Sequence, residues 1–187
     1  MYIVTFKGQF GFIKPWTAVR DGETFSQQFL TPSIIEGMEK KLFPEQLNKN
    51  GVIERIKRHK LSYDSMNAQQ EVTQPRGWIV KKTEMTRPRS VLKRNVLLNP
   101  KLTLAFATYE DALIASRQHL CLCRNEDILL PNPEIQEIDE EEFNKLQGFE
   151  LRFKESDDTF LVGYNRFNGG EPMYGTLEID GQSILKV

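Results

Sequence analysis

Cysteine and histidine are scarce: the chain of 187 residues has two of each. Cys121 and Cys123 stand one residue apart in "LCLC", where alternation places both on one face of a strand. That is too close in sequence for an easy disulfide or a complete metal site, and they read as small apolar residues in a reducing compartment. His59 and His119 fall in no His-x-x-x-His or Cys-x-x-Cys spacing, so no metal is expected. A P-loop and a dinucleotide fingerprint are missing too, because Gly8 and Gly11 lack a third glycine and no helix follows at once. No cofactor is expected. The N-terminal "MYIVTFKG" has no cleavage signature and no apolar run approaches membrane-spanning length, so a soluble cytoplasmic protein is expected.

What the chain does have is charge, unevenly placed. The net charge is −1, yet residues Val52 to Lys101 hold 12 Lys/Arg against 4 Asp/Glu, and Asn125 to Val187 hold 5 against 15. A basic segment inside a neutral chain is the footprint expected for a polyanion partner. The competing reading is a solvated surface whose cations pair with the acidic tail.

Tyr2 to Lys7 alternates as a strand and is broken by Gly8 and Gly11. In "LTPSIIEGMEKKLFP", Thr31 is the expected N-cap and Pro32 the first helical residue, with Ile34, Ile35, Met38 and Leu42 on one stripe and Pro44 as the stop. "GVIERIKRHKL" fits a strand or a short helix. Residues 62 to 94 are polar and proline-interrupted, which predicts a protruding hairpin. "SVLKRNVLLNP" and "KLTLAFA" read as strands around an Asn99-Pro100 turn, Thr108 to Arg117 as a capped helix with Asp111 at the capping-box position, and "HLCLCR" as the next strand. If Val52 to Leu61 is a strand, the order is strand, helix, strand, strand, helix, strand, an α+β ferredoxin-like arrangement over residues 1–133. Residues 134–187 then form an extension: an acidic, exposed short helix followed by hairpins built from "FELRFK", "FLVGY", "MYGTLEI" and "SILKV".

Without Gln9, "FKGQFGFIKPW" approaches the RNA-recognition motif, whose aromatics stack unpaired bases. That motif belongs on the third strand of its fold and here it falls on the first. Gln9 also turns every following side chain to the other face. A phosphate site is readable elsewhere: the N-terminus of the Thr31 helix, with Ser33, offers N–H groups and a partial positive charge beside Lys14 and Arg20. Gly8, Gly11 and Gly37 are places where a foreign backbone could come close. The hairpin carries Arg76, Lys81, Lys82, Arg87, Arg89, Lys93 and Arg94, an array able to straddle a sugar-phosphate backbone, and Trp16 and Trp78 are stacking candidates that read first as packing residues.

Gly8, Phe10, Phe12, Pro15, Thr31, Pro32, Ser33 and Gly37, within "KGQFGFIKPW" and "FSQQFLTPSIIEGMEKKLF", resemble the N-terminal signature of the Cas-five family. Members are subunits of type I CRISPR surveillance complexes (Cascade), in the RAMP superfamily, that hold the 5′ handle of the guide RNA. "RPRSVLKRNVLLNPKLTLAF" is similar to the family's arginine-led strand after its hairpin, and "HLCLCRNEDILLP" to a later strand in which Cys123 replaces a glycine. The resemblance covers residues 1 to 133. It implies an antiviral-defence subunit that binds the crRNA 5′ handle, caps a filament of Cas-seven-like backbone subunits, and meets the large subunit and, indirectly, target DNA. In one CRISPR subtype the family member itself cuts precursor RNA with Tyr, Lys and His, without metal. Here Leu42-Phe43 stands where those members carry tyrosine, and His59, Lys60 and Tyr63 are the local substitute. The expectation is binding without cleavage.

Overall fold

A computed structural model of the chain describes residues 1–15, 22–73, 77–153 and 158–181. Strand β1 (Tyr2–Lys7) puts Val4 and Phe6 on one face and Ile3 on the other. Two short strands, β2 (Phe10–Gly11) and β3 (Glu23–Phe25), precede helix α1 (Pro32–Leu42). Next come β4 (Ile56–Ser62), β5 (Ser65–Thr73), β6 (Ile79–Val80), β7 (Met85–Thr86), β8 (Ser90–Leu98) and β9 (Lys101–Phe106). Helix α2 (Tyr109–Ala115) leads to β10 (Leu120–Cys121), β11 (Ile128–Pro131) and β12 (Gln136–Glu137). Helix α3 (Glu140–Asn144), β13 (Gly148–Arg152), β14 (Phe160–Asn165) and β15 (Glu171–Asp180) complete a mixed fold in which strands predominate. "SILKV" lies outside the described residues.

The main sheet runs β10-β11-β1-β9-β4-β13-β15-β14, antiparallel throughout, with β12 also paired to β1. Both longer helices cover one face. Ile35, Met38 and Leu42 of α1 and Ala112 and Ala115 of α2 bury against Val4, Phe6, Leu102, Leu104 and Phe106, removing a large apolar area from water. On the opposite face α3 inserts Phe143 between Ile3 and Ala105. Its start is fixed by a capping box: the Asp139 carboxylate accepts the Glu142 N–H at 2.8 Å, and the Glu142 side chain accepts the Asp139 N–H at 3.1 Å. The strands after residue 133 therefore continue the same sheet.

The "GVIERIKRHKL" segment is a strand from Ile56. Its entry is fixed by a carboxylate that no local pattern announces. Glu39 of α1, almost wholly buried, accepts the N–H groups of Glu54, Arg55 and Ile56 at 2.8, 2.7 and 2.8 Å. Three charge-assisted bonds satisfy it.

Two expectations need correcting. Helix α2 ends at Ala115, not Arg117, where the Ser116 hydroxyl donates to the Leu113 carbonyl at 3.0 Å and Gln118 Nε2 to the Leu42 carbonyl at 3.0 Å. "HLCLCR" does not supply the strand beside β1. Only Leu120–Cys121 is extended there, as a partner of β11, and β11 itself lies along β1. The cause is a tight turn on the fully buried Asp127, which accepts the Arg124 N–H at 3.1 Å and takes its guanidinium at 2.6 Å, while the Leu122 N–H donates to the Asp127 carbonyl at 3.1 Å. Cys121 consequently sits in a strand and Cys123 in the turn, both free.

The predicted protrusion is a ribbon. β5 and β8 pair over nine positions, from Ser65 with Leu98 to Thr73 with Ser90, and β6 and β7 form a small hairpin near the tip. Only the base of β8 is buried, at Asn95, Val96 and Leu97, where β2 and β3 flank it. Among the described residues no helix is long and apolar enough to cross a membrane, and no group of three His, Cys, Asp or Glu residues is arranged to hold a metal ion.

Candidate nucleic-acid interface

A cleft of about 640 Å³ opens at the N-terminus of α1. Pro32 has no N–H, and the N–H groups of Ile34 and Ile35 both donate to the Thr31 carbonyl, at 3.0 and 3.1 Å. The Ser33 N–H is thus the first-turn donor with no acceptor inside the helix. No acidic residue occupies the first turn, and the Glu36 carboxylate, which also lines the cleft, is taken by the Lys40 ammonium at 2.7 Å and the Gly51 N–H at 3.0 Å. Thr31 does not cap through its side chain; its hydroxyl lies 3.1 Å from that of Ser33. Lys14 reaches the same cleft because its segment is pinned: the Ile13 N–H donates to the Ser26 hydroxyl at 2.9 Å and the Gln27 N–H to the Ile13 carbonyl at 2.8 Å. Three predicted residues, Lys14, Thr31 and Ser33, therefore share one cavity. Arg20 and Trp16 lie outside the described residues.

The far wall was not anticipated. The end of β14 contributes Tyr164 and the turn after it Arg166 and Phe167, with both aromatic rings more than half exposed. The Lys40 ammonium lies 5.9 Å from the centre of the Phe167 ring. Exposed rings beside cations are what a stacked base and its phosphate need. The one available sequence signal was the mix of aromatic, basic and turn residues in "YNRFNGG".

The ribbon holds its cations apart from this cleft. Lys81, Lys82, Arg89 and Lys93 are exposed, and Arg87 lies 5.1 Å over the Trp78 ring, which is itself 53 % exposed. Trp78 is thus at the surface. Arg94 is partly structural, since it pairs with Glu71 at 3.3 Å and sits 5.4 Å over the buried Phe12 ring, with Arg124 at 5.5 Å. Arg76 lies outside the described residues. Phe6 and Phe12 are buried and Phe10 is half-buried, so the aromatics of "FKGQFGF" do not form an exposed base-stacking strand. Of the three glycines, a Cβ on Gly8 would meet the Ile128 carbonyl oxygen at 2.6 Å and one on Gly11 the Leu122 side chain at 2.3 Å. Those two glycines serve the chain's own packing. Gly37 has open space around it.

No family model matches the chain, and no curated protein gives a significant match. Its fold is similar to a solved one. A chain from a structure described as "CRISPR RNA-guided surveillance complex" aligns with a TM-score of 0.52 and 14% identity, covering 96% of this chain and 88% of that chain. The likeness spans the ribbon and the C-terminal strands as well as the helical half, and at this identity it is a likeness of fold.

His59, Lys60 and Tyr63 do not converge. The pleat of β4 places His59 toward the helices and Lys60 toward α3, Tyr63 just after β4 packs in the helix-side core, and all three are buried. Loss of water pushes the His59 pKa down to about 4, with Arg58 adding to the effect and Glu150 opposing it. Its Nε2 has no hydrogen-bond partner among the described residues, and its ring stacks on Phe153 at 5.7 Å. The Lys60 ammonium donates to the carbonyls of Asn144 and Leu146 at 2.8 and 2.7 Å and pairs with Asp180 at 2.6 Å. Burial raises the Tyr63 phenol, whose ring stacks on Phe149 at 6.0 Å. His119 is exposed at the far end of α2.

Part of the charge asymmetry is settled inside the molecule. Arg58 donates Nε and Nη2 to the Glu150 carboxylate, each at 2.6 Å, bonds Glu140 and Asn144, and lies 4.6 Å over the Phe143 ring. The guanidinium is held above its ordinary pKa by these acids despite burial. Arg58 and Lys60 are unavailable to a polyanion, whereas Lys81, Lys82, Arg89 and Lys93 are exposed on the ribbon.

Proposed function

We propose that this protein is a non-catalytic subunit of a type I CRISPR surveillance complex, of the Cas-five type, that grips the 5′ handle of crRNA. The observation that carries the reading is the α1 cleft, where Lys14, Thr31 and Ser33 of the family-like signature meet Arg166 and two exposed rings. A phosphate at the positive end of α1 with bases against Tyr164 or Phe167 satisfies that chemistry. The basic ribbon then straddles the next stretch of RNA backbone. Capping a filament of Cas-seven-like subunits, contact with the large subunit, and a cytoplasmic location follow from the same assignment.

The sheet order supports a ferredoxin-like core. β1, α1, β4, β9, α2 and β11 follow one another as strand, helix, strand, strand, helix, strand, and their strands lie in the order β11-β1-β9-β4, all antiparallel. Binding without cleavage is part of the proposal. A general base must reach the 2′-hydroxyl, and His59 is shut inside the sheet. Precursor crRNA incubated with the purified protein in EDTA, beside a His59→Ala variant, tests both halves. We expect retention of intact RNA by both proteins. Cleavage at one repeat position, lost in the variant, contradicts the non-catalytic reading; no retention contradicts RNA binding.

A further inference from the structure

A second cleft, of about 740 Å³, lies on the face of the central sheet turned away from α1 and α2. Lys7 of β1 is directly opposite Lys101 of β9, and Lys101 is directly opposite Ser62 of β4. Lys145, which closes α3, reaches the same cleft, as do Thr103 and Asn99. All three lysines are exposed, and none has a carboxylate within ion-pair distance among the described residues. Like charges facing each other across two strands destabilise a sheet. This chain has 26 Asp and Glu residues with which to relieve that repulsion, and on the same sheet face it pairs Arg58 and Lys60 fully. The carboxylate in the cleft wall is Asp64, which accepts from Asn99 Nδ2 at 2.8 Å. Tyr63 borders the cleft, but its ring is buried in the core on the helix side and stacked on Phe149, so no base platform is offered.

We propose that this cleft binds the phosphodiester backbone of single-stranded nucleic acid without reading bases, at a site separate from the α1 cleft. The two clefts share no lining residue. Lysine ammonium groups act as point charges on phosphate, and the hydroxyls of Ser62 and Thr103 and the amides of Gln9 and Gln147 supply uncharged hydrogen bonds between them. Lacking a stacking ring, the site selects a polymer of phosphates over a free nucleotide.

The test compares the wild type with Lys7→Gln/Lys101→Gln/Lys145→Gln, and separately with Lys14→Gln/Arg166→Gln, by fluorescence anisotropy of labelled oligouridine over a range of salt. Single strands lose about 0.7 in the slope of log affinity against log salt per phosphate contact, so the triple variant should bind with a slope shallower by about 2. Its melting temperature without ligand should equal or exceed that of the wild type, because the Lys7–Lys101 repulsion is gone. An unchanged slope, or a lower melting temperature, overturns the inference. So does displacement of the oligonucleotide by inorganic phosphate at equal phosphate concentration, which would mark a free-phosphate site. A normal triple variant with a defective Lys14/Arg166 variant removes this second site and leaves the handle-binding reading standing; the reverse outcome does the opposite.

Discussion

His59 and Gly37 show how one side chain can be set by folding or left for a partner. His59 is neutral in the fold because burial takes its pKa to about 4, whereas in the unfolded chain it titrates near 6.5. The unfolded state binds the extra proton between those values, so the His59 contribution is complete above about pH 6.5 and is lost as pH falls toward 4. The difference in unfolding free energy between wild type and His59→Phe should change by about 3 kcal/mol across that window, as read by urea titrations at several pH values. A constant difference would show that His59 is not held neutral. Gly37 is exposed in mid-helix with nothing near its missing Cβ, and Gly37→Ala should stabilise the free protein by about 1 kcal/mol. If a partner backbone packs there, the same variant will be more stable and yet assemble poorly, a split that melting and pull-down with backbone subunits measure together.

Two elements carry opposite assignments of charge. At the β4–β13 seam, Arg58 and Glu150 are buried together, so Arg58→Ala leaves a carboxylate stranded and should cost about 3–5 kcal/mol in urea unfolding. Arg58→Met combined with Glu150→Leu should recover most of that loss, because the desolvation of both charges disappears. A double variant no more stable than Arg58→Ala would contradict this. The β5–β8 ribbon instead buries almost nothing along its outer half, where Val72, Val80, Met85 and Val91 are exposed. Its amides should exchange quickly in the free protein and be protected with guide RNA bound, since few apolar contacts oppose opening. Strong protection in both states, seen by hydrogen exchange, would rule that out.

At the scale of the molecule, what could be read from the sequence was what local patterns encode. Tyr2 to Lys7 shows its strand by alternation, and Thr31-Pro32 with the Ile35, Met38, Leu42 stripe shows α1, because each rests on neighbours within a few residues. The strand beside β1 was misplaced because Asp127 folds its turn through its own buried carboxylate, which looks like any surface acid in the sequence. The same holds for Glu39 at the entry to β4. Lys14, Thr31 and Ser33 were legible as a group, whereas Tyr164, Arg166 and Phe167 arrive from the far end of the chain, and only the sheet brings them there. The basic excess likewise mixed two populations. Arg58 and Lys60 belong to the core, whereas Lys81, Lys82, Arg89 and Lys93 lie exposed on the ribbon.

The exposed cations Lys81, Lys82, Arg89 and Lys93 are the ones through which the proposed role, holding single-stranded RNA by its phosphates, is best tested. Equilibrium binding of single-stranded RNA to the wild type is followed across a range of salt, beside Lys81→Gln/Lys82→Gln/Arg89→Gln/Lys93→Gln. Log affinity should fall linearly with log salt, with a slope of about 0.7 per phosphate contact that reports several contacts, and the ribbon variant should show a shallower slope. Binding that is absent, or indifferent to salt, contradicts the proposed role.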